Sequence, residues 1–223
     1  AQSQNYTRAN SSFGRISSTF NFLLILAVIF FGLFDTLDQY ARSFGYSPII
    51  TGLIFFGIIT IIQDILSTPF SLYSTFIIEE EYGFNKSTPK IFFIDKLKSY
   101  FLLLILGVPL ISVILYFFES LENAWFYAWC LVALLSVIMP RIYTQFIAPM
   151  FNKFTPLENG ELKDSITAYA NDVNFPLAEV YVVDGSKRSA HSNAYFTGFG
   201  KNKRIVLFDT LMENHTNEEI LSI

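Results

Sequence analysis

The sequence predicts a bundle of membrane helices joined to a small α+β domain. Three observations carry this. The chain is 52% hydrophobic over 223 residues, with a mean hydropathy of +0.42, which is too apolar for an ordinary water-soluble domain. Four apolar runs fall within its first 150 residues. After Phe151 the composition turns to that of a soluble domain, with short β-branched runs between turn residues.

The apolar runs are Phe20 to Phe34, Pro48 to Ile78, Tyr100 to Phe118 and Ala124 to Pro140, the last extending past Arg141 toward Ile147. Crossing a bilayer takes roughly 20 residues, so the third and fourth fit best. The first is short, and the second is long enough to tilt or project, with Pro69 as an expected kink. Residues 1–16 read as a polar N-terminal segment, 17–150 as the membrane region and 151–223 as the start of a soluble domain. Arg8 and Arg15 before the first run imitate a signal peptide. The acidic Asp35 and Asp38 after it favour a retained anchor.

Basic residues alternate between the connections. Arg8 and Arg15 precede the first span, Lys86, Lys90, Lys96 and Lys98 follow the second, and Arg141 and Lys153 follow the fourth. This places the N-terminal segment, the second-to-third loop and the C-terminal region in the cytosol. The sequons at Asn5, Asn10, Asn85 and Asn214 are then expected to be bare. A net charge of −4 offers no basic face for nucleic acid. One cysteine, Cys130, excludes an internal disulfide and a multi-cysteine metal site.

In the soluble part, Thr155-Pro156-Leu157-Glu158 carries a helix-start pattern, which Asn159-Gly160 shifts toward Glu161. Leu162, Ile166, Tyr169, Ala170 and Val173 then share one helical face, and Phe175-Pro176 ends the helix. Val180 to Val183 and Ile205 to Phe208 read as strands. Ser192 to Phe199 reads as a strand of small and polar residues, suited to a sheet edge that another backbone can approach. A Gly200-Lys201-Asn202-Lys203 turn leads into the last strand, and a small antiparallel sheet is expected. Thr216-Asn217-Glu218-Glu219 is a capping box, with Ile220, Leu221 and Ile223 opening an apolar face. A helix so short is marginal, and a longer continuation is expected.

Four long motifs carry a family resemblance. They are Pro69-Phe70-Ser71-Leu72-Tyr73-Ser74-Thr75-Phe76-Ile77-Ile78-Glu79-Glu80-Glu81-Tyr82-Gly83-Phe84-Asn85, Phe151-Asn152-Lys153-Phe154-Thr155-Pro156-Leu157, the loop Gly185-Ser186-Lys187-Arg188-Ser189-Ala190-His191-Ser192-Asn193-Ala194-Tyr195-Phe196-Thr197-Gly198, and Arg204-Ile205-Val206-Leu207-Phe208-Asp209-Thr210-Leu211. Together they closely resemble the type I CAAX prenyl proteases, integral-membrane zinc metalloproteases, over nearly everything from Pro48 onward. The resemblance implies a membrane all-α helical bundle around a water-filled chamber, joined to a zincin-like catalytic domain. It implies cleavage of C-terminal peptides from prenylated proteins. It also implies residence in the endoplasmic reticulum membrane of a eukaryote or the inner membrane of a bacterium.

The family's H-E-x-x-H helix is expected just past Ile223, with a glutamate ligand further on, and its first membrane helix is expected before Ala1. Catalytic zinc needs three protein ligands, an acidified water and a carboxylate base. The two histidines here make no recognisable ligand pattern, so the piece by itself is expected to be inactive. Its partners are then a peptide or prenylated protein substrate, the lipid bilayer and the remainder of its own polypeptide.

Asn193, Ala194 and Tyr195 are the candidate substrate-binding residues, as an edge strand pairing with a guest backbone. On pattern alone they also fit a polar strand end. His191 is the fourth candidate. A triad with Ser189 and Asp184 would need spatial assembly, and the family position is no zinc ligand, so a hydrogen-bonding role within the loop is expected. His215 is expected in solvent, and Lys187 and Arg188 either solvate the loop or attract a carboxylate terminus. Glu79, Glu80 and Glu81 read as a membrane-edge cluster linked to Lys86 and Lys90. Asp64, inside an apolar run, is expected to face a cavity, a partner or the bilayer surface. Two other classes stay open, a transporter and a non-enzymatic membrane scaffold whose edge strand binds peptides. No internal repeat supports the transporter, and an H-E-x-x-H motif just beyond Ile223 would separate protease from scaffold.

Overall fold

The computed structural model describes residues 2–198, 200 and 202–222. Phe199, Lys201 and Ile223, which the sequence reading assigned to a strand end, a turn and a helix face, lie outside them. Two compact units form. One holds the chain up to Gly83 with Ser99–Leu131, the other Phe84–Lys98 with Val132 onward.

Four helices are long and apolar enough to span a bilayer: α1 within Ser3–Phe30, α3 (Pro48–Glu81), α4 (Pro89–Ser120) and α5 (Ala124–Phe151). The helix α2 (Leu33–Arg42) lies between the first two. The 34 residues of α3 extend about 50 Å, well beyond the roughly 30 Å of hydrocarbon. Large apolar side chains stand exposed on all four, among them Ile29, Ile65, Leu104 and Trp129, each between 62% and 64% accessible. Such a surface suits lipid tails rather than water.

In the first unit, α1 starts at Gln2 and not at the apolar run. Its early turns are held by packing that hydropathy does not see. Tyr6 donates to Glu79, and the Phe13 ring stacks on Tyr73 with centroids 4.8 Å apart. Asp64 has found a partner, the Tyr100 hydroxyl. α2 was missed because it is short and mixes polar with apolar residues; it buries Ala41 and carries pairs one turn apart, Gln39 to Asp35 and Arg42 to Asp38. Each of α3, α4 and α5 contains a widened π turn, at Ser74–Ile78, Leu103–Gly107 and Tyr143–Ile147. Pro69 and Pro140 lie a turn before two of them, where a missing N–H interrupts the helical ladder.

The second unit carries a four-stranded sheet in the order β1-β2-β4-β3. The strands are β1 (Phe154–Pro156), β2 (Leu177–Val183), β3 (Ala194–Thr197) and β4 (Lys203–Phe208). The sheet is mixed, which corrects the antiparallel expectation: β2 and β4 run parallel, with β1 and β3 antiparallel at the two edges. Topology explains this. The connection after β2 passes over one strand position, so the chain returns as β3 and the hairpin through Gly198 folds β4 back between them. Gly198 has φ +101°, and a Cβ there would meet the Asn202 carbonyl oxygen at 2.1 Å.

The helix α6 runs from Glu161 to Asp172, so the shifted start is the right one and Phe154–Pro156 is strand instead. Leu162, Ile166 and Ala170 are buried, and the first two pack with Val180, Leu207, Leu211 and Ile220. Tyr169 and Val173, expected on that core face, are more than half exposed. They line an apolar groove of about 330 Å³ together with Phe175, Phe196 and Ile205. Lys163 reaches β2 by a 2.9 Å ion pair with Glu179, whose carboxyl it holds below the usual range. The short helices α7 (Asp209–Asn214) and α8 (Asn217–Leu221) close the chain, α8 with the expected capping box at Thr216.

Gly185, just past β2, sits against the Phe208 ring. A Cβ there would lie 2.3 Å from Phe208 Cδ1. Gly185→Ala is therefore expected to destabilise the unit by about 1–3 kcal/mol through overpacking. Thermal unfolding checks this, and an unshifted midpoint would show that the ring simply moves aside.

Candidate functional site: an open sheet edge held by a braced loop

β3 is an edge strand, and the pattern of its bonds decides which groups are free. The Phe208 N–H donates to the Asn193 carbonyl at 3.0 Å, and Tyr195 pairs with Val206. In an antiparallel ladder the bonding direction alternates along the strand. Asn193 and Tyr195 therefore turn their carbonyls toward β4, while Ala194 and Phe196 direct N–H and C=O outward. Among the described residues the Ala194 N–H is met by the Asn193 side-chain oxygen alone, at 2.9 Å. Asn193 is exposed, Ala194 and Tyr195 are half-buried, and Phe196 is 73% exposed. Burial, with Tyr143 adding to it, pushes the Tyr195 phenol above its ordinary pKa.

The loop leading into β3, residues 184–193, is braced on three sides. Arg188 forks onto Asp95, Nε to Oδ2 at 2.7 Å and Nη2 to Oδ1 at 3.0 Å, and its Nη1 donates to Asn152 Oδ1 at 2.7 Å. The segment at Phe84 adds backbone bonds: Ala190 N–H donates to Phe84 O at 2.9 Å and Lys86 N–H to Arg188 O at 3.1 Å. Asp209 accepts from the Ser186 N–H, at 2.8 Å, and from its hydroxyl. Fork geometry and charge assistance make the arginine pair the strongest of these anchors.

The candidate residues thus fall in one place but with different tasks. Asn193, Ala194 and Tyr195 lie along the edge. The exposed His191 precedes it, its ring stacked on Phe84 at 4.1 Å and its carbonyl accepting from the Thr210 hydroxyl at 2.9 Å. No relay joins it to Asp184 and Ser189. Asp184 accepts from the Lys153 N–H at 2.6 Å, and Ser189 Oγ accepts from the His191 backbone. Arg188 is committed to Asp95 and does not stand ready for a carboxylate terminus. His215 is exposed near Glu219.

Asp95, Asn152, Phe84 and Asp209 were not singled out from sequence. Asn152, Phe84 and Asp209 each lie in one of the four long motifs, and those motifs converge here on a single loop. Among the described residues no cluster of three or more His, Cys, Asp or Glu could hold a metal ion. The described residues do not fit a catalytic zinc.

Comparison with known proteins agrees with this architecture. Residues 1–153 match a family model described as the CAAX prenyl protease N-terminal domain with five membrane helices, and residues 156–223 match peptidase family M48. The fold is that of a membrane helical bundle with a zincin-like domain, and the chain belongs to the CAAX prenyl protease family. A probable CAAX prenyl protease 1 of Schizosaccharomyces pombe is 44% identical over 98% of this chain and 49% of its own length. CAAX prenyl protease 1 of Saccharomyces cerevisiae is 38% identical over 100% of the chain and 52% of its own. The crystal structure of S. mikatae Ste24p superposes with a TM-score of 0.90 at 39% identity, over 98% of this chain and 53% of that one. The chain spans about half the length of the curated relatives it matches.

Proposed function

We propose that this chain is part of an integral-membrane zinc metalloendopeptidase that removes C-terminal peptides from prenylated CAAX proteins. In this reading the membrane spans wall a chamber. Residues 151–223 form the N-terminal part of a cytosolic catalytic domain, and the zinc ligands lie in sequence beyond Ile223. The observation that carries it is the outer edge of β3, which pairs with no other strand among the described residues, within a chain of this family.

A guest peptide adds as a further antiparallel strand. Ala194 and Phe196 each offer it one N–H and one C=O, which bind main chain whatever the guest's sequence. The Asn193 amide turns from the Ala194 N–H to donate to and accept from a guest peptide group. The braced loop keeps these groups in register, so little ordering remains to be done when the guest arrives. The Asn85 side chain is already engaged, donating to Ser87 O at 3.3 Å and accepting from Ser87 N–H at 2.8 Å. That engagement is consistent with a bare sequon on the cytosolic side.

Asn193→Ala in the complete enzyme is expected to lower peptide cleavage about tenfold, the loss of roughly one good hydrogen bond. Zinc content should stay stoichiometric. Undiminished cleavage by the variant would remove Asn193 from the site.

A further inference from the structure

The face of the sheet opposite α6 holds a second, more polar cavity of about 280 Å³. It lies between the π turn of α5 and the sheet, and Thr144, Gln145, Tyr195, Thr197 and Arg204 bring its polar groups. No acidic residue lines it. Arg204 sits over the Tyr181 ring, 5.3 Å from the centroid, which fixes the guanidinium without neutralising it. Among the described residues Arg204 has no carboxylate partner. The side chains of Gln145, Tyr195 and Thr197 likewise have no hydrogen-bond partner there. Elsewhere in this unit the basic side chain that braces the loop, Arg188, is paired with Asp95. A half-buried guanidinium among three unengaged polar groups is a different arrangement, and it is complementary to an anion.

We propose that this cavity binds the carboxylate of an acidic side chain on the peptide that adds to β3, upstream of the residues beside Asn193 to Tyr195. The inference rests on the strand-addition reading above. Charge and shape choose the ligand class. One guanidinium with neutral donors matches a planar monoanion, which arginine grips through two parallel N–H bonds. Position chooses the source. Thr197 pairs with Arg204 across the β3–β4 ladder. A guest residue beside Thr197 therefore lies two strand spacings, about 9.6 Å, from the Arg204 backbone, within the combined reach of an arginine and a glutamate side chain. An antiparallel guest puts its N-terminal part beside Thr197 and its C terminus toward Asn193. The free terminal carboxylate is thus at the wrong end, and a side chain further upstream is at the right one.

The test uses the complete protein in detergent micelles and fluorescent peptides in which a single glutamate is walked along the sequence. A matched series carries glutamine instead. At one position the glutamate peptide is expected to bind about tenfold more tightly than its glutamine partner at low salt. Arg204→Gln should bring that ratio to about one, with the glutamine series still bound and the protein still folded. Arg204→Lys, which keeps the charge and loses the fork, should fall between. A preference that survives Arg204→Gln, or the lack of any preferred position, overturns the proposal. So does a preference abolished by amidating the peptide's C terminus, which would assign the carboxylate to the terminus. Failure of strand addition itself reads differently, because both series would then bind Asn193→Ala as well as they bind the wild type.

Discussion

Arg188→Ala is expected to lower the stability of the second unit by about 3 kcal/mol and to loosen the approach to β3. Both members of the pair are mostly buried, Arg188 at 24% and Asp95 at 21% side-chain exposure. Removing one partner of such a pair leaves the other charge poorly compensated. Lys98, 3.6 Å from Asp95, supplies only part of what is lost. Asn152 Oδ1 loses its donor as well. Arg188→Lys should recover some stability through charge while losing the fork, and Asp95→Asn should cost less than Arg188→Ala because it leaves no bare anion. Thermal unfolding orders the three variants. Amide hydrogen exchange at Ala190 and Lys86, whose N–H groups bond across the loop, reports the loosening directly. If exchange there is unchanged while the midpoint falls, the pair supports the unit but does not position the loop.

The long apolar helices and the short strands of the sheet, with β3 at its edge, were legible because each follows from local pattern. Continuous apolar runs, a capping box at Thr216 and the small residues around Ala194 are all features of neighbouring positions. What the sequence withheld depends on distance along the chain. Arg188 and Asp95 are 93 positions apart, and no local rule pairs them, so Arg188 read as a charge that either solvates the loop or attracts a carboxylate terminus. The parallel pairing of β2 and β4 is likewise set by where the β2–β3 connection lands, which two apolar runs cannot encode. Tyr169 and Val173 share a helical face with Leu162 and Ile166, yet periodicity fixes a face and not its cover. Arg204 lies near the start of β4, beside Lys203, and nothing in its local sequence sets it apart. The cavity beside it, formed with Thr144 and Gln145 from another element, becomes visible in the folded chain alone.

Ala194→Pro should abolish most peptide binding without unfolding the sheet, an outcome that few substitutions on a strand could produce. Proline removes a backbone donor, and in an interior strand that breaks the ladder. Position 194 is different because its N–H points away from β4. Among the described residues, the one bond lost is the local one to Asn193 Oδ1. The guest loses more: a main-chain donor, and room at the edge now taken by the pyrrolidine ring. Together these correspond to roughly 1.5–3 kcal/mol, or about a 10- to 100-fold weaker complex. Tyr195→Pro is the counterpart. Its N–H faces Val206 across the ladder, so this variant is expected to lose β3 itself and to show a lower midpoint. Fluorescence anisotropy with a labelled peptide, beside a melting curve for each variant, distinguishes the two effects. Wild-type affinity in a folded Ala194→Pro protein would mean that the guest backbone docks elsewhere. Weak binding with an intact fold would tie recognition to the outward N–H of one residue. The same bond would then explain why this strand can use small side chains: their role is to leave the backbone accessible.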